Sequence, residues 1–513
     1  MSSTNKTIAR NTIFLYFRMM FTMLITLYTS RVILDVLGIA DYGLYQTVGG
    51  VVGMLSFING ALSGGASRFL TFELGTGDKD RLKKTFSTTL VIHLGLAVFL
   101  FLLCETFGLW FVYEKLVIPD ERLSAVVVVY HLSIVTAVVN LLTVPYNASI
   151  ISHERMGAYA YLSIFECSAK LLIVYLLGIG GLDKLITYAS LILLLQMGIW
   201  FYYHHYCTSR FEETKFCFFF DRSIFKRILG FSSWSLFAQG SYALNNQGIL
   251  LLLNIFFQPA VVAARSISIQ VNMAANQFVT NFRTAVNPQI VKRYAANDKE
   301  GSKRLLLSST KYSYYLMWII CLPLCLLARP VLELWLVEVP DYTVIFLQLI
   351  LVQSLFQVFD TSFYTALYAK GQLRENALIS PTIGFITFPV IYLMFRLGSS
   401  PVALSWAMLL LYALLGLVVK PLLLIRIVDY AWRDIWQVFR PCLLVTMMSL
   451  PIPLLVDYYW ISLDNFWQNL LLLLISIVCV GISIWFCGLN KQMREMIIGK
   501  LKIPVNLILK NKK

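Results

Sequence analysis

Residues 75–89 read GTGDKDRLKKTFSTT, and residues 295–310 read AANDKEGSKRLLLSST. A shift of 220 positions pairs Asp78 with Asp298, Lys79 with Lys299, Asp80 with Glu300, Lys83 with Lys303 and Lys84 with Arg304. The same shift pairs Lys6 with Lys226, Ile8 with Ile228, and Leu177-Gly178 with Leu397-Gly398. Several matches at one offset mark an internal repeat. What the repeat is made of follows from the apolar runs between its copies.

The chain has 513 residues, of which 58% are hydrophobic and 13% charged. A soluble globular chain is nearer half apolar and about a quarter charged. Apolar windows of about 18–25 residues recur from end to end, the signature of bilayer-spanning helices. The expected fold class is an all-α polytopic membrane protein with about fourteen transmembrane helices. The spans fall near 11–34, 42–66, 86–107, 123–150, 158–178, 185–206, 229–255, 259–288, 306–327, 342–369, 377–395, 401–425, 437–456 and 466–487.

The repeat offset covers six of these spans, an even number, so both copies enter the bilayer in the same direction. Halves related in that way by an axis along the membrane normal are a transporter arrangement. The expected organisation is two pseudo-symmetric six-helix lobes, 1–206 and 229–430, joined by a cytoplasmic linker, 207–228. An extra two-helix hairpin, 431–490, and a basic tail, 491–513, follow. Ten polar-leaning residues precede the first span and no small-residue cleavage site follows it, so no cleaved signal is expected.

No connection is long enough to house a catalytic domain, and no cluster of His and carboxylates stands at an interface, so enzyme activity is not expected. A membrane polymerase or acyltransferase would need an acid, base or nucleophile there. The nine cysteines have no paired spacing and read as small apolar residues. His204-His205 ends a helix beside no acidic residue, so neither metal nor cofactor is expected. The formal charge of +15 invites a nucleic-acid reading. Most Lys and Arg, however, fall in the termini and in loops on one side, while Asp35, Asp41, Asp120, Glu121, Glu338 and Asp341 lie on the other. That asymmetry is the positive-inside rule; it places both termini in the cytoplasm and removes the nucleic-acid partner.

Polarity inside the spans carries the chemistry. Residues 263–290 read AARSISIQVNMAANQFVTNFRTAVNPQI, where Arg265, Asn272, Asn276, Arg283 and Asn287 are spaced 7, 4, 7 and 4 and form one helix stripe. An Arg near the bilayer centre costs about 2.5–3.5 kcal/mol, so such a face turns to protein or water. Asn11, Arg18, Thr22 and Thr29 repeat the spacing on helix one. Two further stripes are Thr136, Asn140, Thr143 and Asn147, and Gln353, Gln357, Asp360 and Tyr364; the repeat superposes Asn140 on Asp360. Asp360 is a candidate for proton or sodium coupling, with pairing to an intramembrane arginine as the competing role. Glu166 and Lys170, one turn apart, read as a structural ion pair. Arginine suits phosphate through its planar fork of donors, and Asn and Gln suit hydroxyl-rich ligands. A ligand that joins an anionic phosphate to sugars satisfies both.

Residues 10–50, RNTIFLYFRMMFTMLITLYTSRVILDVLGIADYGLYQTVGG, residues 61–78, ALSGGASRFLTFELGTGD, and the block from Ala263 through AVNPQIVKRYAANDKE resemble Wzx-type polysaccharide flippases. These belong to the multidrug/oligosaccharidyl-lipid/polysaccharide (MOP) superfamily, and the resemblance covers nearly the whole chain. It implies two six-helix lobes in a V plus two extra helices. It implies movement of undecaprenyl-pyrophosphate-linked oligosaccharide from the cytoplasmic to the periplasmic leaflet of a bacterial inner membrane, for surface polysaccharide such as O-antigen. Arg18 and Arg265, then Arg283, would hold the pyrophosphate, with Asn272, Asn276 and Asn140 toward the sugars. Membrane lipids, H+ or Na+ as coupling ion, and the polysaccharide polymerase machinery are the partners it implies. Two alternatives stand beside it: a lipid II flippase, and a cation-coupled multidrug exporter, which fits less because helix one offers Arg18 and no intramembrane carboxylate.

Overall fold

Asp78 and Asp298, equivalent in the repeat, do the same local work. Each caps a helix: the Asp78 carboxylate accepts from the Arg81 amide at 3.0 Å, and that of Asp298 from the Gly301 amide at 2.8 Å. The residue before each cap is left-handed, Gly77 at φ +76° and Asn297 at φ +62°. Glycine and asparagine take that conformation at least cost. The ends at Gly178 and Gly398 also match, their amides donating to the Tyr175 and Phe395 carbonyls, again 220 residues apart.

The computed structural model describes residues 3–54, 58, 66, 69–70, 73–74, 77–153, 155–178, 181–215, 219–371, 374–460, 465–490 and 493–495. Of 3–19, 156, 159–160, 227–235, 285, 288, 292, 295, 374 and 460 it describes the backbone alone. The first copy of the repeat runs through α1 (Ser3–Gly53, kinked at Gly38), α2 (Lys79–Leu103), α3 (Leu109–Lys115), α4 (Leu123–Ser152), α5 (Met156–Leu177) and α6 (Lys184–Arg210). The second begins with α7 (Arg222–Ala243), α8 (Ile249–Phe256), α9 (Pro259–Ala295), α10 (Lys299–Leu326) and α11 (Ala328–Trp335). It continues through α12 (Thr343–Lys370), α13 (Arg374–Arg396), α14 (Ala403–Leu414) and α15 (Lys420–Val428). Then come α16 (Trp432–Ser449), α17 (Pro451–Trp460) and α18 (Phe466–Ser483). Helices cover all fourteen expected segments, the second of them only in part.

Single π turns, Cys104–Gly108, Leu244–Gly248 and Leu415–Val419, carry α2 into α3, α7 into α8 and α14 into α15. In the first of them the Cys104 carbonyl accepts from the Leu109 amide and also from the Tyr130 hydroxyl, at 2.7 Å. Among the described residues, nine helices are long and apolar enough to cross a bilayer; α10 and α11, bent by 81°, make a tenth span if taken together. No strand occurs among the described residues. α9 is not among the nine, because its polar stripe dilutes its apolar character.

The chain divides into two compact units. Unit 1 is Met1–Gln270, Trp335–Thr343 and Ala377–Ala407; unit 2 is Val271–Leu334, Val344–Asn376 and Met408–Lys513. In unit 1, Leu44, Val48 and Val52 of α1 pack with Val126, Val129, Tyr130 and Ile134 of α4, Leu185 and Ala189 of α6 and Leu251 of α8. One end of the unit is pinned by polar bonds. Arg122 bridges Asp41 and Asp183, the latter at 2.6 Å. Asn254 accepts from the Val117 amide at 2.9 Å and donates to its carbonyl at 3.3 Å. The Gln270 amide donates to the Tyr42 hydroxyl at 2.7 Å, and the Trp335 indole to the Leu27 carbonyl at 2.9 Å.

In unit 2, α10 is tied to the last helices. The Tyr314 and Thr446 hydroxyls lie 2.8 Å apart, the Trp318 indole donates to Ser449 at 2.8 Å, and the Tyr315 hydroxyl donates to the Gly488 carbonyl at 3.3 Å. Between helices in lipid, packing and hydrogen bonds of this kind replace the hydrophobic effect as the source of association.

Candidate functional site

Two groups of intramembrane polar residues stand out, one in each unit. In unit 2 the group is charged. Asp360 of α12 lies 3.2 Å from the ammonium of Lys420, which starts α15 and is 3% exposed. The same ammonium donates to the Asn376 side-chain oxygen and sits 5.6 Å from the centre of the Tyr364 ring. Arg283 of α9 donates to the Thr361 carbonyl and, at 3.4 Å, to the Thr365 hydroxyl, on the next turn of α12. Two cations, Lys420 and Arg283, thus meet α12 at the adjacent residues Asp360 and Thr361.

The Asn272–Asn276 part of the stripe forms its own network in unit 2. Ser354 of α12 donates to Asn272 Oδ1 at 2.7 Å, and Asn276 Nδ2 reaches Asn272 Oδ1 at 3.0 Å and Ser354 Oγ at 3.1 Å. Arg265, at the other end of the stripe, belongs to unit 1, is 3% exposed and donates to Ser405 Oγ at 3.3 Å. The stripe therefore divides among different neighbours along one helix. The Arg18 side chain lies outside the described residues.

The group in unit 1 is neutral and concave. A cavity of about 470 Å³ is walled by α1, α4, α5 and α6, with Tyr45, Ser133, Thr136, Asn140, Thr143 and Asn147 among its lining. Glu166, Gln196 and Tyr203 complete the polar wall. Glu166 Oε1 lies 2.6 Å from Lys170 Nζ, so the one carboxylate of the lining is paired. The whole stripe Thr136, Asn140, Thr143 and Asn147 turns to this cavity.

Sequence reasoning named Asp360 but looked for its partner among the arginines. Lys420 was missed because it stands between the apolar run LLGLVV and Pro421, with Arg426 close behind, and reads as the end of a span. Its helix starts directly after a π turn, and the side chain is buried. Gln196, Ser354 and Tyr45 were missed as isolated polar residues in apolar helices. For Tyr45 a signal existed: the repeat superposes it on Arg265.

No family model and no curated protein matches the sequence. Solved structures do match the fold. The lipid II flippase MurJ in an inward closed conformation aligns with a TM-score of 0.65 at 13% identity, over 93% of this chain and 98% of that one. An inward-facing multidrug resistance MATE family transporter of the MOP superfamily aligns with a TM-score of 0.66 at 13% identity, over 79% of this chain and 95% of that one. A MOP superfamily transporter from Pyrococcus furiosus, described as having a binding pocket of reverse polarity, aligns with a TM-score of 0.58 at 14% identity, over 82% and 96%. At such identities the likeness speaks to architecture. The chain is a multi-pass, all-helical membrane protein with the fold of the MOP-superfamily transporters.

Proposed function

We propose that the protein is a flippase for a lipid-linked oligosaccharide, moving an undecaprenyl-pyrophosphate-linked glycan across a bacterial inner membrane for surface polysaccharide synthesis. The observation that carries this reading is the excess of cation inside unit 2, where Lys420 pairs with Asp360 and Arg283 bonds to the neighbouring Thr361 and Thr365 of the same helix. Holding two cations among membrane helices is costly. A pyrophosphate headgroup rewards it, because guanidinium and ammonium donors replace the water that the phosphates leave. Arg18 and Arg265 are the further cations assigned to that headgroup, and Asn272, Asn276 and Asn140 the amides for its sugars.

Transport proceeds by rocking of the two repeats, with both termini in the cytoplasm. Asp360 is the residue assigned to coupling by H+ or Na+, and Lys420 competes with either ion for it. A lipid II substrate is the second reading. It is supported by the MurJ alignment, which spans 93% of this chain where the MATE alignment spans 79%. A cationic drug is disfavoured by the same cations.

The test is the leaflet distribution of undecaprenyl-linked oligosaccharide in cells lacking the protein. Accumulation on the cytoplasmic leaflet, loss of surface polysaccharide and rescue by the wild-type chain are expected. Accumulation of lipid II with intact surface polysaccharide would favour the second reading. Normal distribution of both lipids, with no redundant flippase, would end both.

A further inference from the structure

The unit 1 cavity has a chemical bias that its composition alone does not reveal. Ser133, Thr136 and Thr143 all line it, and each spends its hydroxyl proton on its own helix. Their donations run to the Val129, Leu132 and Val139 carbonyls, each at 2.8 Å. A hydroxyl that back-bonds in this way offers the cavity only lone pairs. Pro145 lies inside the same helix and brings no N–H to the carbonyl of Leu141, another lining residue. Asn147 also lines the cavity, and its Oδ1 accepts no hydrogen bond. Glu166 adds a carboxylate, ion-paired to Lys170 at 2.6 Å, and neither Lys nor Arg is among the described lining residues.

We infer that this cavity is a subsite for the hydroxyl-bearing sugar portion of the substrate and that it excludes the phosphate. The inference rests on the flippase reading and assigns one part of the ligand to one place. The back-bonded hydroxyls turn to the cavity lone pairs that call for donors, and the described lining holds no Lys or Arg to pair with a phosphate. Sugar hydroxyls supply those donors, and Asn140, which is exposed in mid-helix, answers with an amide that both donates and accepts. The volume, about 470 Å³, lies in the range of roughly 300–1,000 Å³ typical of ligand pockets. Tyr45 and Tyr203 give the wall two rings on which a sugar's C–H face can rest.

The experiment uses the full chain in nanodiscs with Thr136→Cys, and in parallel Thr143→Cys on the same wall. Alkylation at the new cysteine is followed by mass spectrometry of its peptide. The probes are the oligosaccharide released by mild acid from the lipid carrier of wild-type membranes, and inorganic pyrophosphate. The released sugar is expected to slow alkylation at least fivefold at saturation, and pyrophosphate to leave it unchanged. Asn140→Leu is expected to raise the sugar concentration needed for half protection about tenfold. Protection by pyrophosphate, or none by the sugar at either cysteine, overturns the inference. The probe comes from wild-type membranes and carries no lipid, so this result is independent of the leaflet assay that decides the flippase reading.

Discussion

Lys420 is 3% exposed within the membrane helices, and its ammonium is matched by Asp360 at 3.2 Å, by Asn376 and by the Tyr364 ring. Removing one partner of a buried pair strands the other, which costs about 3–5 kcal/mol, whereas replacing both with apolar or neutral groups costs far less. Asp360→Asn and Lys420→Met are each expected to lower the thermal midpoint in detergent, and the double variant to recover most of the loss. If the two losses simply add, the residues are not coupled and the pairing argument fails. In the proposed coupling, an ion that binds Asp360 would have to displace a tethered ammonium. Half of this was legible in the sequence. A lone carboxylate in an apolar helix is conspicuous; a lysine near a span's end is not, and the π turn before it leaves no mark in the apolar pattern.

At the scale of elements, the repeat was readable because capping is local: Asp78 and Asp298 each meet an amide three residues on. The clasp around Arg122 was not, since its partners Asp41 and Asp183 lie 81 and 61 residues away. It joins the kinked end of α1 to the starts of α4 and α6. Burial alone would raise the Asp183 carboxyl, but the Ile186 amide, the Arg122 guanidinium and the Leu185 amide outweigh it and hold the group below its ordinary range. A carboxyl depressed on folding contributes stability above its unfolded value, about 3.9, and loses that contribution as pH falls through the folded value. Thermal midpoints are therefore expected to drop on acidification below about pH 4, and Asp183→Asn to flatten that acid limb while lowering the plateau near neutrality. An acid limb unchanged by the substitution would show that other carboxylates carry it.

For the whole molecule, the revealing fact is the make-up of unit 1, which takes in all of the first copy of the repeat together with the second copy's start as far as Gln270, its Trp335–Thr343 and its Ala377–Ala407. Hydrogen bonds among the described residues that join the copies include two between Asn254 and Val117, one from Gln270 to Tyr42 and one from Trp335 to Leu27. At about 0.5–1.5 kcal/mol each, they sum to a few kcal/mol, the size of a gap that a substrate's differential binding can reverse. The all-helical, multi-span fold class was foreseeable from the apolar windows; these contacts were not, because they join residues more than a hundred positions apart through single polar atoms. Gly43 shows how closely the copies approach. A Cβ there would lie 2.1 Å from the Pro259 carbonyl oxygen, well under van der Waals contact, and that oxygen is backbone and cannot swing aside. Gly43→Leu is therefore expected to wedge α1 from the start of α9 and to loosen the whole set of bonds. The readout is hydrogen exchange at the Val117 amide, whose acceptor is the Asn254 side chain: a tenfold or greater acceleration is expected, together with slower transport. Unchanged exchange at Val117 in a folded Gly43→Leu protein would mean that this contact is ordinary packing and that the copies are held together elsewhere.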